Sequence, residues 1–130
     1  MLNPAQAINA AYLNYANFKG RAPRSAFWWF HIYSFLLSNL AAVLVAYTVL
    51  DEQSQVAVLM LFTLFAIAVP GLSVAVRRLH DTGRSGWWLL LAFIPVLGAL
   101  VLLVFWLGKS QPNTNLYGAY PFLTKEIHDL

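Results

Sequence analysis

The block Arg77-Arg78-Leu79-His80-Asp81-Thr82-Gly83-Arg84-Ser85-Gly86-Trp87-Trp88 concentrates the side chains of this sequence that could do chemistry. Its guanidiniums could hold a phosphate or carboxylate, and His80 beside Asp81 could serve as a base or metal ligand. A second block, Phe18-Lys19-Gly20-Arg21-Ala22-Pro23-Arg24-Ser25-Ala26, sets three more cations before the aromatics Phe27-Trp28-Trp29-Phe30. The case for catalysis is thin. Adjacent residues in one turn do not make a base and its orienting partner, and a metal needs two or more further ligands. The other histidines are His31, inside an apolar run, and His128, near the C-terminus. With no cysteine there is no thiolate site or disulfide, and no Ser-His-Asp set, phosphate loop or HExxH helix appears. The expectation is a protein that is not an enzyme, with no catalytic residue, metal or cofactor, in which His80, Asp81 and Gly83 orient or support their neighbours.

The elements that carry these blocks are apolar and long. Residues 26–50, 56–76 and 87–107 run for 25, 21 and 21 residues without Asp, Glu, Lys or Arg. A bilayer core about 30 Å thick needs roughly 20 apolar helical residues to cross it. Hydrophobic residues make up 60% of the chain and charged ones only 10%. A soluble chain of 130 residues could not cover so much apolar side chain. The reading is one all-α polytopic membrane domain over residues 1–130, with no internal repeat. The first run is too long for a cleaved signal sequence and is read as a signal anchor that becomes the first span.

Lys and Arg set the expected orientation. Lys19, Arg21 and Arg24 precede the first run, and Arg77, Arg78 and Arg84 separate the second from the third. Asp51 and Glu52 lie between the first two. The N-terminus and the second loop are therefore expected in the cytoplasm and the acidic loop outside. The third run carries Pro95 and Gly98 at its middle, so it is either a kinked span or a re-entrant hairpin. A hairpin's limbs would be about half the crossing length and would leave backbone to be satisfied at depth. The kinked span is preferred, with the tail, including Lys109 and Lys125, outside. Small residues Ser34, Ser38, Ala42 and Ala46, and also Gly71 and Ala75, recur at helical spacing and would allow close helix packing, with Asn39 able to bond across helices. Residues 4–17 could form a short amphipathic helix on the inner surface.

Both basic blocks should then meet at one cytoplasmic face. Trp28, Trp29, Trp87 and Trp88 would anchor it at the interface, and Asp81 would pair with Arg77 or Arg84. That face is either an orienting turn or a site for an anionic lipid headgroup. The site would use Arg21, Arg24, Arg77, Arg78 and Arg84 with the backbone N–H groups that Ser85 and Gly86 open. A pI near 9.5 could suggest nucleic acid, but cations placed beside apolar runs favour anionic lipid instead. Other partners would be a second copy or another membrane protein. The rival class is a transporter or channel, which three helices could form only as an oligomer.

The pairing of FKGRAPRSAFWWF with RRLHDTGRSGWW, followed by IPVLGALVLLVFWLGKSQPNTNLYG, resembles the domain-of-unknown-function 805 family, small bacterial inner-membrane proteins of the YhaH and YhaI type. The resemblance covers about residues 18–118. It implies a multi-pass protein of the bacterial inner membrane and brings no established activity. It also implies an acidic residue in many relatives where this chain has Ala26, so an ion pair made there is absent here.

Overall fold

Arg77, Arg78 and Asp81 are buried in this molecule, while many of its large apolar side chains face outward. The computed structural model describes residues 1–48 and 50–121, and all the regular elements among the described residues are helical. Helix α1, Pro4–Leu13, opens on a reciprocal cap: Asn3 accepts from the Gln6 amide while the Gln6 side chain accepts from the Asn3 N–H. Helix α2 runs Arg24–Ala46 and α3 runs Glu52–Phe62. The cap of α3 is Asp51, which accepts from the Ser54 amide at 3.0 Å and its hydroxyl at 2.6 Å. Those bonds from Ser54 hold the Asp51 carboxyl below the usual carboxylate range. A depressed carboxyl contributes stability above its unfolded range, so this cap weakens as pH falls through the folded value.

A π-helical turn, Thr63–Ala68, joins α3 to α4, Val69–Asp81, making one 30-residue helix over Glu52–Asp81. Pro70 explains the widened turn. Val69 N–H bonds the Leu64 carbonyl five residues back, and the next donor in that register would be residue 70, which has no N–H. The carbonyl of Phe65 in the π register, or of Ala66 in the α register, therefore lacks its helical donor. Two tyrosines of the N-terminal segment replace it: Tyr15 donates to the Phe65 carbonyl and Tyr12 to the Ala66 carbonyl at 2.9 Å. Burial and the Tyr33 hydroxyl push the Tyr12 phenol above its ordinary value, so it remains a donor. Tyr12→Phe should orphan the Ala66 carbonyl at a cost of about 1–3 kcal/mol, read as a lower thermal midpoint in detergent. An unchanged midpoint would remove this role.

A helix does form within residues 4–17. It packs along α2 and α4, with the Leu2 N–H on the Ser25 hydroxyl at 3.1 Å and the Tyr12 ring edge-on to Phe30 at 5.8 Å. Buried Ala7 and Ala11 allow that approach, and no charge within 4–13 opposes it. The core gathers Ala11, Phe27, Phe30, Val74 and Ala75, with Tyr33 and Trp106 against it. Gly71 faces Phe30 and Ala75 is buried, so the small pair on this helix does admit a neighbour. On α2, by contrast, only Ser34 of the small stripe is buried, and Ala42 and Ala46 are exposed. Asn39 bonds the Phe35 carbonyl of its own helix at 2.7 Å rather than another helix. Phe35, Leu36, Leu44, Met60, Leu61 and Phe65 all point outward, an apolar surface suited to lipid rather than water.

Two helices, Arg24–Ala46 and Glu52–Asp81, are long and apolar enough to cross a membrane. The third run is not a single span. It forms a 3-10 helix, Gly86–Phe93, and helix α5, Leu97–Leu107, which fold back on each other. Phe105 lies edge-on to Trp88 at 5.5 Å, and the Gly108 backbone approaches Thr82. At about 2.0 and 1.5 Å of rise per residue, both limbs are roughly 16 Å long, so their outer ends meet. The kinked span with its ends at opposite faces is thus corrected to the hairpin alternative. The backbone cost that counted against a hairpin is met locally. Ile94, Gly98 and Leu100 N–H groups bond the Leu91, Ile94 and Val96 carbonyls, and Leu97 N–H bonds Pro95 across a γ-turn at Val96, φ 62 and ψ −62. Gly98 lets the limbs touch, because a Cβ there would stand 1.7 Å from the Leu91 carbonyl oxygen.

Candidate functional site

Asp81, the last residue of α4, is fully buried and is the hub of the basic end. One carboxylate oxygen accepts from Arg21 at 3.0 Å, and the other accepts from Arg78 and the Ser110 hydroxyl. Arg78, also fully buried, spends its other donors on the Trp106 carbonyl at 3.1 Å and the Gly108 carbonyl. Arg24, the first residue of α2, donates to the Gly108 carbonyl at 2.8 Å and to Leu107. The last carbonyls of α5 would otherwise have no partner, and cations favour the negative end of a helix. Arg21 extends the network to the Asn113 carbonyl at 2.8 Å and the Gln111 carbonyl. Three arginines and one aspartate therefore lock together the start of α2, the end of α4, the end of α5 and the tail turn.

Asp81 does not pair with Arg77 or Arg84, as the sequence suggested, but with Arg78 and Arg21. Side-chain direction decides this: Arg78 reaches the end of α5, whereas Arg77 lines the cleft beside α1. Arg84 leaves the network and lies over the Phe105 ring at 4.0 Å. Gly83, at φ 78, takes the left-handed position of a helix-ending motif: its N–H bonds His80 and the Arg84 N–H bonds Leu79. The backbone donors expected to open at Ser85 and Gly86 are partly used, since Ser85 itself accepts from the Trp87 and Trp88 amides. Gly86 packs against Val76. Trp29, Trp87 and Trp88 are exposed, while Trp28 packs against the core.

His80 and Asp81 are adjacent in sequence but serve different partners. The His80 ring shares a hydrogen bond with the Gly20 carbonyl at 3.0 Å and stacks on Tyr117 at 3.9 Å. Asn115 donates to the His80 carbonyl at 2.8 Å. Among the described residues, no group of three or more acidic or histidine side chains could hold a metal. Sequence reasoning missed Ser110, Gln111, Asn115 and Tyr117. The available signal was charge balance: one acidic residue amid six arginines and lysines implies carbonyl acceptors elsewhere.

A family model described as "Protein of unknown function (DUF805)" matches residues 15–119. The Inner membrane protein YhaI of Escherichia coli K12 is 39% identical over 108 residues, covering 83% of this chain and 88% of the relative. The Inner membrane protein YhaH of the same strain is 37% identical over 112 residues, covering 85% and 91%. No solved structure matches the chain. On the family match and on both relatives, this chain belongs to the DUF805 family of proteins of unknown function.

Proposed function

We propose that this is a non-catalytic integral protein of the bacterial inner membrane that recognises anionic lipid headgroups at the cytoplasmic leaflet. In this reading α2 and Glu52–Asp81 are the two spans, and the 86–107 hairpin enters from the cytoplasmic side and returns to it. The N-terminal segment and the tail as far as Pro121 are both cytoplasmic, in place of a third span with the tail outside. The observation that carries the reading is charge segregation along the folded chain. Lys19, Arg21, Arg24, Arg77, Arg78, Arg84 and Lys109 cluster at one end, because the hairpin returns Gly108 to Arg24 and Arg78. Asp51 and Glu52 lie at the far end of the 30-residue helix. Basic residues are retained on the cytoplasmic side and attracted to anionic lipid there.

Two measurements test it. The native chain has no cysteine, so single substitutions report sidedness. Ser54→Cys should react with an impermeant maleimide in spheroplasts, and Thr114→Cys only in inverted vesicles; Thr114→Cys labelled from outside would overturn the topology. Native mass spectrometry from mixed micelles should show phosphatidylglycerol retained severalfold over phosphatidylcholine, and equal retention would overturn the lipid reading.

A further inference from the structure

The guanidinium of Arg77 is left over from the network that holds Asp81. The residue is 7% exposed, its Nε is buried without a hydrogen-bond partner, and its side chain has no ion pair among the described residues. Burying a cation without compensation is costly, and proteins pair such groups or give them a ligand. Arg77 lines a cleft of about 700 Å³ between α1, the 20–23 turn, the start of α2 and the tail turn at 117–121. That is within the range of small-molecule sites, roughly 300–1,000 Å³. None of the described residues lining it is acidic: Ala26, which borders it, brings no charge, and Arg21 on its rim is already bound to Asp81. Leu2, Ala22, Pro23 and Pro121 give it apolar walls beside the one unspent cation. The complement of such a cleft is an anion carried on a partly apolar body. A planar guanidinium offers a fork of donors that fits phosphate oxygens.

We infer that this cleft is a binding site for a phosphate-bearing anion and that Arg77 is the residue that contacts it. The inference rests on the anionic-headgroup reading above and narrows it to one place, where only Arg21 of the arginines that tie the fold reaches the rim. The phosphate could be carried by a lipid or be free, and the test separates these sources. The full chain in phosphatidylcholine nanodiscs would be titrated with dihexanoyl phosphatidylglycerol and, separately, with glycerol 3-phosphate. Binding would be followed by the Nε–H resonance of Arg77 and by native mass spectrometry.

The wild type should bind and its Arg77 Nε–H resonance should move on titration. Arg77→Gln should weaken binding tenfold or more, Arg77→Lys should retain part of it, and Gln53→Ala, exposed at the far end of the long helix, should leave it unchanged. Saturation by the lipid but not by glycerol 3-phosphate assigns a lipid headgroup; saturation by both assigns the phosphate itself. The Arg77 resonance in the wild type keeps the test valid should Arg77→Gln fold poorly. The inference is overturned if neither ligand moves that resonance, or if folded Arg77→Gln binds as the wild type does. A wild-type preference for phosphatidylglycerol that survives Arg77→Gln sinks the site and spares the broader reading. Glycerol 3-phosphate binding lost in Arg77→Gln, with no lipid preference in the wild type, does the reverse.

Discussion

Asp81→Asn is expected to lower stability by about 3–5 kcal/mol, the largest effect of any single exchange at the basic end. The substitution keeps the shape of the side chain and removes its charge. Arg78, fully buried, then loses its counter-ion, and the Arg21 ion pair at 3.0 Å goes with it. Asparagine keeps a single oxygen acceptor, so either the Arg21 side or the Arg78 and Ser110 side also meets an NH2 donor in place of an acceptor. Breaking one side of a buried ion pair costs more than the pair contributes, because the remaining charge stays out of water. The loss should be local before it is global. Arg21 also holds the Asn113 and Gln111 carbonyls, so the tail turn should become open to protease between residues 109 and 118. Thermal unfolding in detergent and limited proteolysis measure the two parts. Arg84→Gln is the matched comparison: it removes a cation that lies over Phe105 outside the network and should cost about 1 kcal/mol or less. Equal losses for the two variants would mean that Asp81 is not the hub.

Gly98→Leu should open the hairpin at a cost of about 3 kcal/mol or more, beyond ordinary overpacking because the obstacle is backbone. A Cβ at 98 would stand 1.7 Å from the Leu91 carbonyl oxygen, and no rotamer moves it away. The limbs must separate, taking Phe105 from Trp88 and carrying the end of α5 away from Arg24 and Arg78. A designed disulfide reports this directly. Gly108 faces Thr82 closely enough that Thr82→Cys with Gly108→Cys should cross-link within one chain under mild oxidation. Adding Gly98→Leu should abolish the cross-link and lower the thermal midpoint. A cross-link that forms as readily in the Gly98→Leu background would mean that the hairpin does not depend on close contact at this glycine.

Much of the scaffold was legible because hydrocarbon solvent imposes simple rules on sequence. Uncharged runs long enough to cross a bilayer mark the two long helices, and the cations flanking them mark one common end. Capping followed local chemistry, as at Ser85. The turn that Gly83 supplies was equally local, since a left-handed residue ends the helix there. What misled was the expectation that a hairpin would leave backbone unsatisfied at depth, which local bonds at 91–100 in fact meet. The third run's 21 uncharged residues are as consistent with two half-length limbs as with one span, since composition does not record direction. Pro95 and Gly98 indicated a break but not its angle.

Tertiary structure decided the angle and, with it, the fate of the arginines. The hairpin could return only if the carbonyls ending α5 found donors, and Arg24 and Arg78 are those donors. Five arginines that looked equivalent in sequence therefore separated into three that hold the fold, one over an aromatic ring and one left facing a cleft. The sequence by itself determined an all-helical chain built for a lipid environment, with its charge gathered at helix ends, because those properties depend on solvent and local spacing. Apart from the Arg78–Asp81 pair, three residues apart, the three arginines that hold the fold meet acceptors 28 to 97 residues away along the chain. Such pairings are settled only when packing brings the ends of α2, α4 and α5 together, since a buried charge is stable only where its partners converge on it.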